Sequence, residues 1–341
     1  MALPPPRAQS ARITEVDVLR GFALLGITLA NTVTLTETLS SATGGLGHWA
    51  FETLLHQRFF PIFSFLFGLS FGLFLDAVQG RTRSPRLLMM ARLGFLVPFG
   101  ALHRLLQPRE VLLTYAVVGI LVLLPASYLP GWRTVLALGT AATAAAALLA
   151  GGSTLIPGLF LIGFAAAKHG PDRLLTLPTS RICTVLAIAS VIAIALNVQQ
   201  IYYGSESTSR AATVAGLATA ATYVIAIVLL LRTPIRHALR PLAPVGRMAL
   251  TCYIAATPLI LISDQALHID GGYGIALAIG MGVFVTELTF SMLWLRRARY
   301  GPLEWVWRCL TWWSFVPNSS RGSSRHGPAG PRWSPSRDGC R

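Results

Sequence analysis

Residues 274–295 read GIALAIGMGVFVTELTFSMLWL, 22 residues with one charged side chain, Glu287. A helix rises about 1.5 Å per residue, so such a run reaches roughly 30 Å, the thickness of a bilayer's hydrocarbon core. Arg296, Arg297 and Arg299 follow at once. The stretch therefore reads as a transmembrane helix ending at a basic edge. The pattern recurs upstream. Further apolar runs lie near 18–36, 58–77, 87–106, 111–129, 132–150, 153–168, 182–202, 211–231 and 248–264. Together they predict an all-α integral membrane protein, a bundle of about ten transmembrane helices.

Composition agrees. Of 341 residues, 53% are hydrophobic and only 12% charged, with a mean hydropathy of +0.60. Soluble domains carry about 25% charged residues, so a water-soluble fold is excluded. The net charge of +15 comes from 28 basic and 13 acidic residues. In a soluble chain it would suggest nucleic acid. Here the basic residues punctuate apolar runs, so no nucleic-acid partner is expected. With the N-terminus placed in the cytoplasm, Arg7/Arg12, Arg81/Arg83/Arg86, Arg133, Lys168/Arg173/Arg181, Arg232 to Arg247 and Arg296 to Arg299 all fall inside. The outer segments hold only Arg58, Arg104, Arg109 and Arg210. This bias predicts both termini in the cytoplasm. A cleaved signal peptide at 18–36 is disfavoured by Arg20 within the run and by the lack of an A-x-A site.

The expected organisation is a cytoplasmic arm (1–14), a transmembrane domain (15–313) and a disordered basic tail rich in Ser, Pro and Gly (314–341). Cys183, Cys252, Cys309 and Cys340 lack CxxC spacing and predict neither a disulfide framework nor a metal site.

A charged group near a helix centre costs on the order of 2.5–3.5 kcal/mol on insertion scales, so the exceptions are informative. The first run carries Asp17, Arg20, Thr28 and Asn31 on one stripe. Asp17 and Arg20 are i, i+3 neighbours that can pair. They form either the start of a polar channel or an anchor at the membrane rim. Glu287 has no basic neighbour within a turn. It is neutral, paired with another helix, or open to water.

His103 ends one run and Glu110 begins the next, with Pro108 between them. A short turn there makes a candidate base–orienter pair near the outer face, or an interfacial helix cap. His48, Glu52 and His56 share helical spacing in the first outer loop. That spacing suits a metal, but no second ligand cluster supports one and no metal is expected. His169, His237 and His268 read as solvated, and His326 lies in the tail.

Several blocks together resemble the YeiB-like family of bacterial integral membrane proteins. They are RITEVDVLRGFALLGI-x-x-x-N (Arg12 to Asn31), FFPIFSFLFG (Phe59 to Gly68), GALH-x(6)-EVL-x-x-YA (Gly100 to Ala116), LAPVGRMALTCY (Leu242 to Tyr253) and GPLEWVWR (Gly301 to Arg308). That family is similar to transmembrane acyltransferases such as heparan-alpha-glucosaminide N-acetyltransferase. The resemblance implies a multi-pass protein of the bacterial cytoplasmic membrane. It would move an acyl group from cytoplasmic acyl-CoA to a membrane-bound or extracytoplasmic acceptor, a small molecule or a glycan. By position, Asp17, Arg20 and Asn31 are signature residues, and His103 matches the family histidine. Glu110 stands where Asp is usual, and Cys252 where Asn is usual. His48 precedes Phe60-Pro61 at a spacing similar to that of the glucosaminide enzyme's active histidine. The competing expectation is a non-enzymatic transporter or export-associated protein, with Glu287 and Asp17 as its intramembrane ionisable groups. Membrane lipid is a partner under either.

Overall fold

The computed structural model describes residues 6–36, 45–79, 82–171, 177–203, 209–267 and 272–319. Arg81, Arg173, His268 and the expected tail beyond Ser319 lie outside the described residues. Within them the chain is helical, with no β-structure beyond an isolated bridge between Ala298 and Ser319.

The helices in chain order are α1 (Pro6–Leu35), α2 (Leu46–Leu54), α3 (Phe59–Val78), α4 (Pro85–Gly94), α5 (Leu96–Arg104) and α6 (Leu112–Val118). A π-turn (Gly119–Leu123) leads into α7 (Leu124–Ala126). Then follow α8 (Trp132–Leu149), α9 (Ile156–His169), α10 (Thr179–Tyr202) and α11 (Arg210–Leu230). Two short helices, α12 (Arg236–Leu239) and α13 (Leu242–Arg247), precede α14 (Ala249–Leu267), α15 (Tyr273–Trp294) and α16 (Pro302–Trp312). Among the described residues, eight helical segments are long and apolar enough to cross a membrane. This is the build of a multi-pass membrane protein. Two of the ten expected spans are shorter helices: Leu112–Ala126 and Ile156–His169. Each coincides with a local breaker. Pro125 follows the π-turn, and Gly170 ends α9 with φ +95°. Pro98, which has no N–H for the Gly94 carbonyl, likewise splits the run at 87–106 into α4 and α5.

Lipid tails are as apolar as leucine, so close packing, not burial from water, has to hold such helices together. The crossing of α3 and α9 shows how. Gly68 and Gly72 form a GxxxG face on α3 against α9. A Cβ at Gly68 would lie 2.0 Å from the Phe160 carbonyl oxygen, and one at Gly163 2.0 Å from that of Phe65. Beside this contact Phe67 stacks on Phe160 with centroids 4.7 Å apart, and Tyr115 meets Phe160 edge-on. α1 runs through the centre, packed against α3, α13, α14 and α15. It begins at Pro6, so the expected N-terminal arm is in part the helix's first turns.

Arg58, expected in an outer loop, is fully buried. It donates to the carbonyls of Thr53, His56 and Ala212 and to the side chains of Asn197 and Gln200. One cation thereby ties the α2–α3 turn to the α10–α11 hairpin. The chain from Ser314 to Ser319, expected as disordered tail, returns onto the end of the bundle. Trp305 Nε1 donates to the Val316 carbonyl at 2.7 Å, and the Arg299 amide to that of Asn318 at 2.9 Å. His169, expected to be solvated, packs on the Trp132 ring.

Candidate active site: an arginine-lined cavity and a buried histidine

A cavity of about 200 Å³ lies among α1, α3, α4, α5, α6, α13, α14 and α16. Its wall is largely aromatic and aliphatic, with Phe63, Phe67, Phe74 and Leu96 prominent. Arg20, Arg92, Arg247 and Glu304 supply its charges, and Ser70, Tyr115 and Tyr253 its hydroxyls.

These charges are not equally available. Arg20 donates to Asp17 at 2.8 Å and to Ser70 Oγ at 2.5 Å. Arg247 donates to the Arg299 carbonyl. Glu304 caps α14, accepting from the amides of Leu250 and Thr251 and from the Thr251 hydroxyl. Burial pushes its carboxyl above the ordinary range, against these donors, which favour the charged form. Arg92 has its guanidinium between two rings, 3.8 Å from the centre of Trp307 and 4.4 Å from that of Phe74.

Of the stripe expected on the first helix, only Arg20 lines the cavity. Asp17 stands behind it, and Thr28 is buried in helix packing. Asn31 lies about 16 Å further along α1. Of the four stripe residues, the cavity thus meets α1 at Arg20. Helix rotation relative to α3 and α13 decides which of these residues faces it.

At Tyr253 the cavity wall adjoins the histidine. The Tyr253 ring meets the His103 ring edge-on at 5.0 Å, and its hydroxyl accepts from the Val111 amide. His103 is not at an exposed outer edge; it is 2% exposed. Its Nε2 lies 2.9 Å from Thr257 Oγ1, and the Thr257 hydroxyl donates to Gln107 Oε1. With its hydrogen given to Gln107, Thr257 accepts from the ring, which places the proton on Nε2 and leaves Nδ1 as the basic nitrogen. Nδ1 has no hydrogen-bond partner among the described residues and lies 3.8 Å from Glu110 Oε2. The fold thus brings the two expected residues together but divides the roles differently. Glu110 accepts from the Leu112 and Leu113 amides at the start of α6, satisfying donors that a helix N-terminus leaves open. Thr257, not Glu110, orients the ring.

The other candidates lie elsewhere. His48 Nδ1 is 3.0 Å from the Tyr273 hydroxyl, while Glu52 bonds to His56. His56 lies past the end of α2, so the three do not share one helical face. Among the described residues no group of three or more His, Cys, Asp or Glu side chains is placed to hold a metal ion. Glu287 is buried on α15, and among the described residues neither carboxyl oxygen has a hydrogen-bond partner. Beside its helix turn, Cys252 Sγ lies 3.4 Å from Ser291 Oγ.

Sequence reasoning missed Arg92, Tyr253, Thr257, Gln107 and Trp307. Tyr253 and Trp307 stand inside the quoted motif blocks, which was the one available signal. Thr257 and Gln107 look like ordinary apolar-run and turn residues until α5 and α14 are packed.

Residues 164–314 match the family described as protein of unknown function (DUF418). The chain is 33% identical over 338 residues to the uncharacterized 39.9 kDa protein in the amylase 3' region of Bacillus acidopullulyticus, covering 90% of this chain and 96% of that one. It is 36% identical over 102 residues to the uncharacterized protein YxaH of Bacillus subtilis (strain 168), covering 28% and 25%. It is 38% identical over 86 residues to the uncharacterized protein YeiB of Escherichia coli (strain K12), covering 24% and 22%. With the full-length likeness and the family match in agreement, the chain belongs to the YeiB-like DUF418 family.

Proposed function

We propose that this protein is a transmembrane acyltransferase of the bacterial cytoplasmic membrane, with ten spans and both termini in the cytoplasm. The carrying observation is the cavity itself. It has an arginine-rich end suited to an anionic acyl-CoA donor, an apolar wall suited to an acyl chain, and a far wall, Tyr253, in ring contact with His103. In the proposed reaction an acceptor hydroxyl or amine attacks the thioester carbonyl. The new C–O or C–N bond forms as the C–S bond breaks. His103 takes the acceptor's proton and returns it to the departing CoA thiolate. Glu110, 3.8 Å from Nδ1, supplies the negative charge that an imidazolium needs. The acceptor is membrane-bound or extracytoplasmic, a small molecule or a glycan. His48, bonded to Tyr273, is assigned no step.

A second reading is carried by Glu287. An unpartnered buried carboxyl is an unusual expense in a membrane helix, and in a transporter it would exchange a proton or cation. One experiment separates the two. Purified protein in lipid nanodiscs is given acyl-CoA labelled in the acyl group, together with an extract of cell-surface material. Acyl transfer requires label to move to protein or extract, and His103→Gln to lose at least 100-fold in rate while remaining monodisperse. Full transfer by His103→Gln refutes the base. No transfer by wild type, with uptake in vesicles that is lost in Glu287→Gln, selects the transporter.

A further inference from the structure

Arg92 stands apart from the other charges of the cavity. The Arg20 guanidinium is matched by Asp17 and Ser70, Arg247 reaches a backbone carbonyl, and Glu304 is consumed by the donors of α14. The Arg92 guanidinium meets no hydrogen-bond acceptor among the described residues, although it lines the cavity. Phe74 covers one side of it and Trp307 another. Trp307 is itself held in place, its Nε1 donating to the Arg92 carbonyl at 2.7 Å. A guanidinium stacked on aromatic rings keeps its N–H edge for in-plane acceptors. That edge suits a planar or tetrahedral oxyanion bound through two parallel hydrogen bonds. Beside it the apolar wall of Phe63, Phe67 and Leu96 suits a hydrocarbon chain.

We infer that Arg92 is the anion-recognition residue of this cavity, and that its ligand is a phosphate-bearing amphiphile whose apolar chain lies along the α3 wall. The inference rests on the acyl-transfer reading for the place of that ligand in a reaction, but its geometry stands without any transfer. Two sources share the chemistry: the phosphates of an acyl-CoA and the headgroup of an anionic phospholipid.

The test is binding without turnover. Protein in neutral-lipid nanodiscs is titrated with palmitoyl-CoA, with dioleoyl phosphatidic acid and with dioleoylglycerol. The variants are Arg92→Gln, Arg92→Lys and, as a control on the exposed start of α10, Arg181→Gln. At least one phosphate ligand is expected to bind wild type and Arg181→Gln alike and to lose tenfold or more in affinity in Arg92→Gln. Diacylglycerol binding should change less than twofold across the set. Palmitoyl-CoA alone assigns the thioester donor; phosphatidic acid alone assigns the lipid and leaves acyl transfer from CoA unsupported. The proposal is overturned if neither phosphate ligand binds, if Arg92→Gln matches Arg181→Gln, or if the neutral lipid loses as much as the charged one. Should Arg92→Gln fail to assemble, Arg92→Lys decides. It keeps the charge but not the fork, and binding within twofold of wild type overturns the proposal.

Discussion

Replacing Arg58 by methionine tests whether a buried cation braces the bundle or burdens it. Methionine keeps much of the stem's volume and removes all five hydrogen bonds. The Ala212 carbonyl keeps its place in the ladder of α11. Four acceptors lose their Arg58 partner: the carbonyls of Thr53 and His56 and the side-chain oxygens of Asn197 and Gln200. At about 1–1.5 kcal/mol for each buried group left unmet, the loss is about 4–6 kcal/mol. Added apolar burial returns about 1–2 kcal/mol. The opposing effect is relief of desolvation, because no carboxylate forms a salt bridge with Arg58 among the described residues, and an uncompensated buried charge is costly. Two of its acceptors lie at the C-terminal end of α2, where the helix dipole is negative. That partial charge, with the Glu52 carboxylate beyond contact distance, offsets the buried cation, so the hydrogen-bond loss should win by about 3 kcal/mol. The assay is thermal denaturation of detergent-solubilised protein followed by size-exclusion chromatography. At about 2 °C per kcal/mol the midpoint should fall by roughly 6 °C. An unchanged or raised midpoint would show that desolvation dominates and refute the bracing role.

Gly163→Leu should prevent assembly of the α3–α9 contact, since even a Cβ there meets the Phe65 carbonyl at 2.0 Å; Gly94→Ala, with nothing within 4 Å, should leave the yield of monodisperse protein near wild type. Glu304 binds its proton more tightly folded than unfolded, so its contribution to stability declines as pH rises from the ordinary value of 4.5 through the raised folded value. Thermal midpoints of Glu304→Gln measured across that interval should lack this decline; a slope equal to wild type would contradict the assignment. With the native cysteines replaced, a cysteine at position 203 should react with an impermeant maleimide in intact cells and one at 240 only after permeabilisation. The reverse pattern would sink the proposed orientation.

The helices were legible because apolar length is a property of the chain taken in order. All ten apolar runs are helical, and the breaks within or at the ends of 87–106, 111–129 and 153–168 fall near Pro98, Pro125 and Gly170. The Asp17–Arg20 pair was legible for the same reason, since three residues apart on a helix means one face. So was the meeting of His103 with Glu110, which a short proline-containing turn brings to 3.8 Å. Roles were not legible. Glu110 looks like an orienter until its carboxylate is seen on the Leu112 and Leu113 amides, and Thr257 looks like nothing until α14 crosses α5.

What the sequence determined by itself is therefore local: a multi-pass helical chain, its family, and the pairs that lie within a turn or two of each other. Only the tertiary structure decided the cavity. Trp307 reaches Arg92 across 215 positions, and Ser70 reaches Arg20 across 50. Both contacts depend on how far each helix is rotated about its own axis. In a bilayer nearly every face of a span is apolar, so hydrophobic patterning does not set that rotation. It is set by the close approaches that glycines such as Gly68 and Gly163 permit.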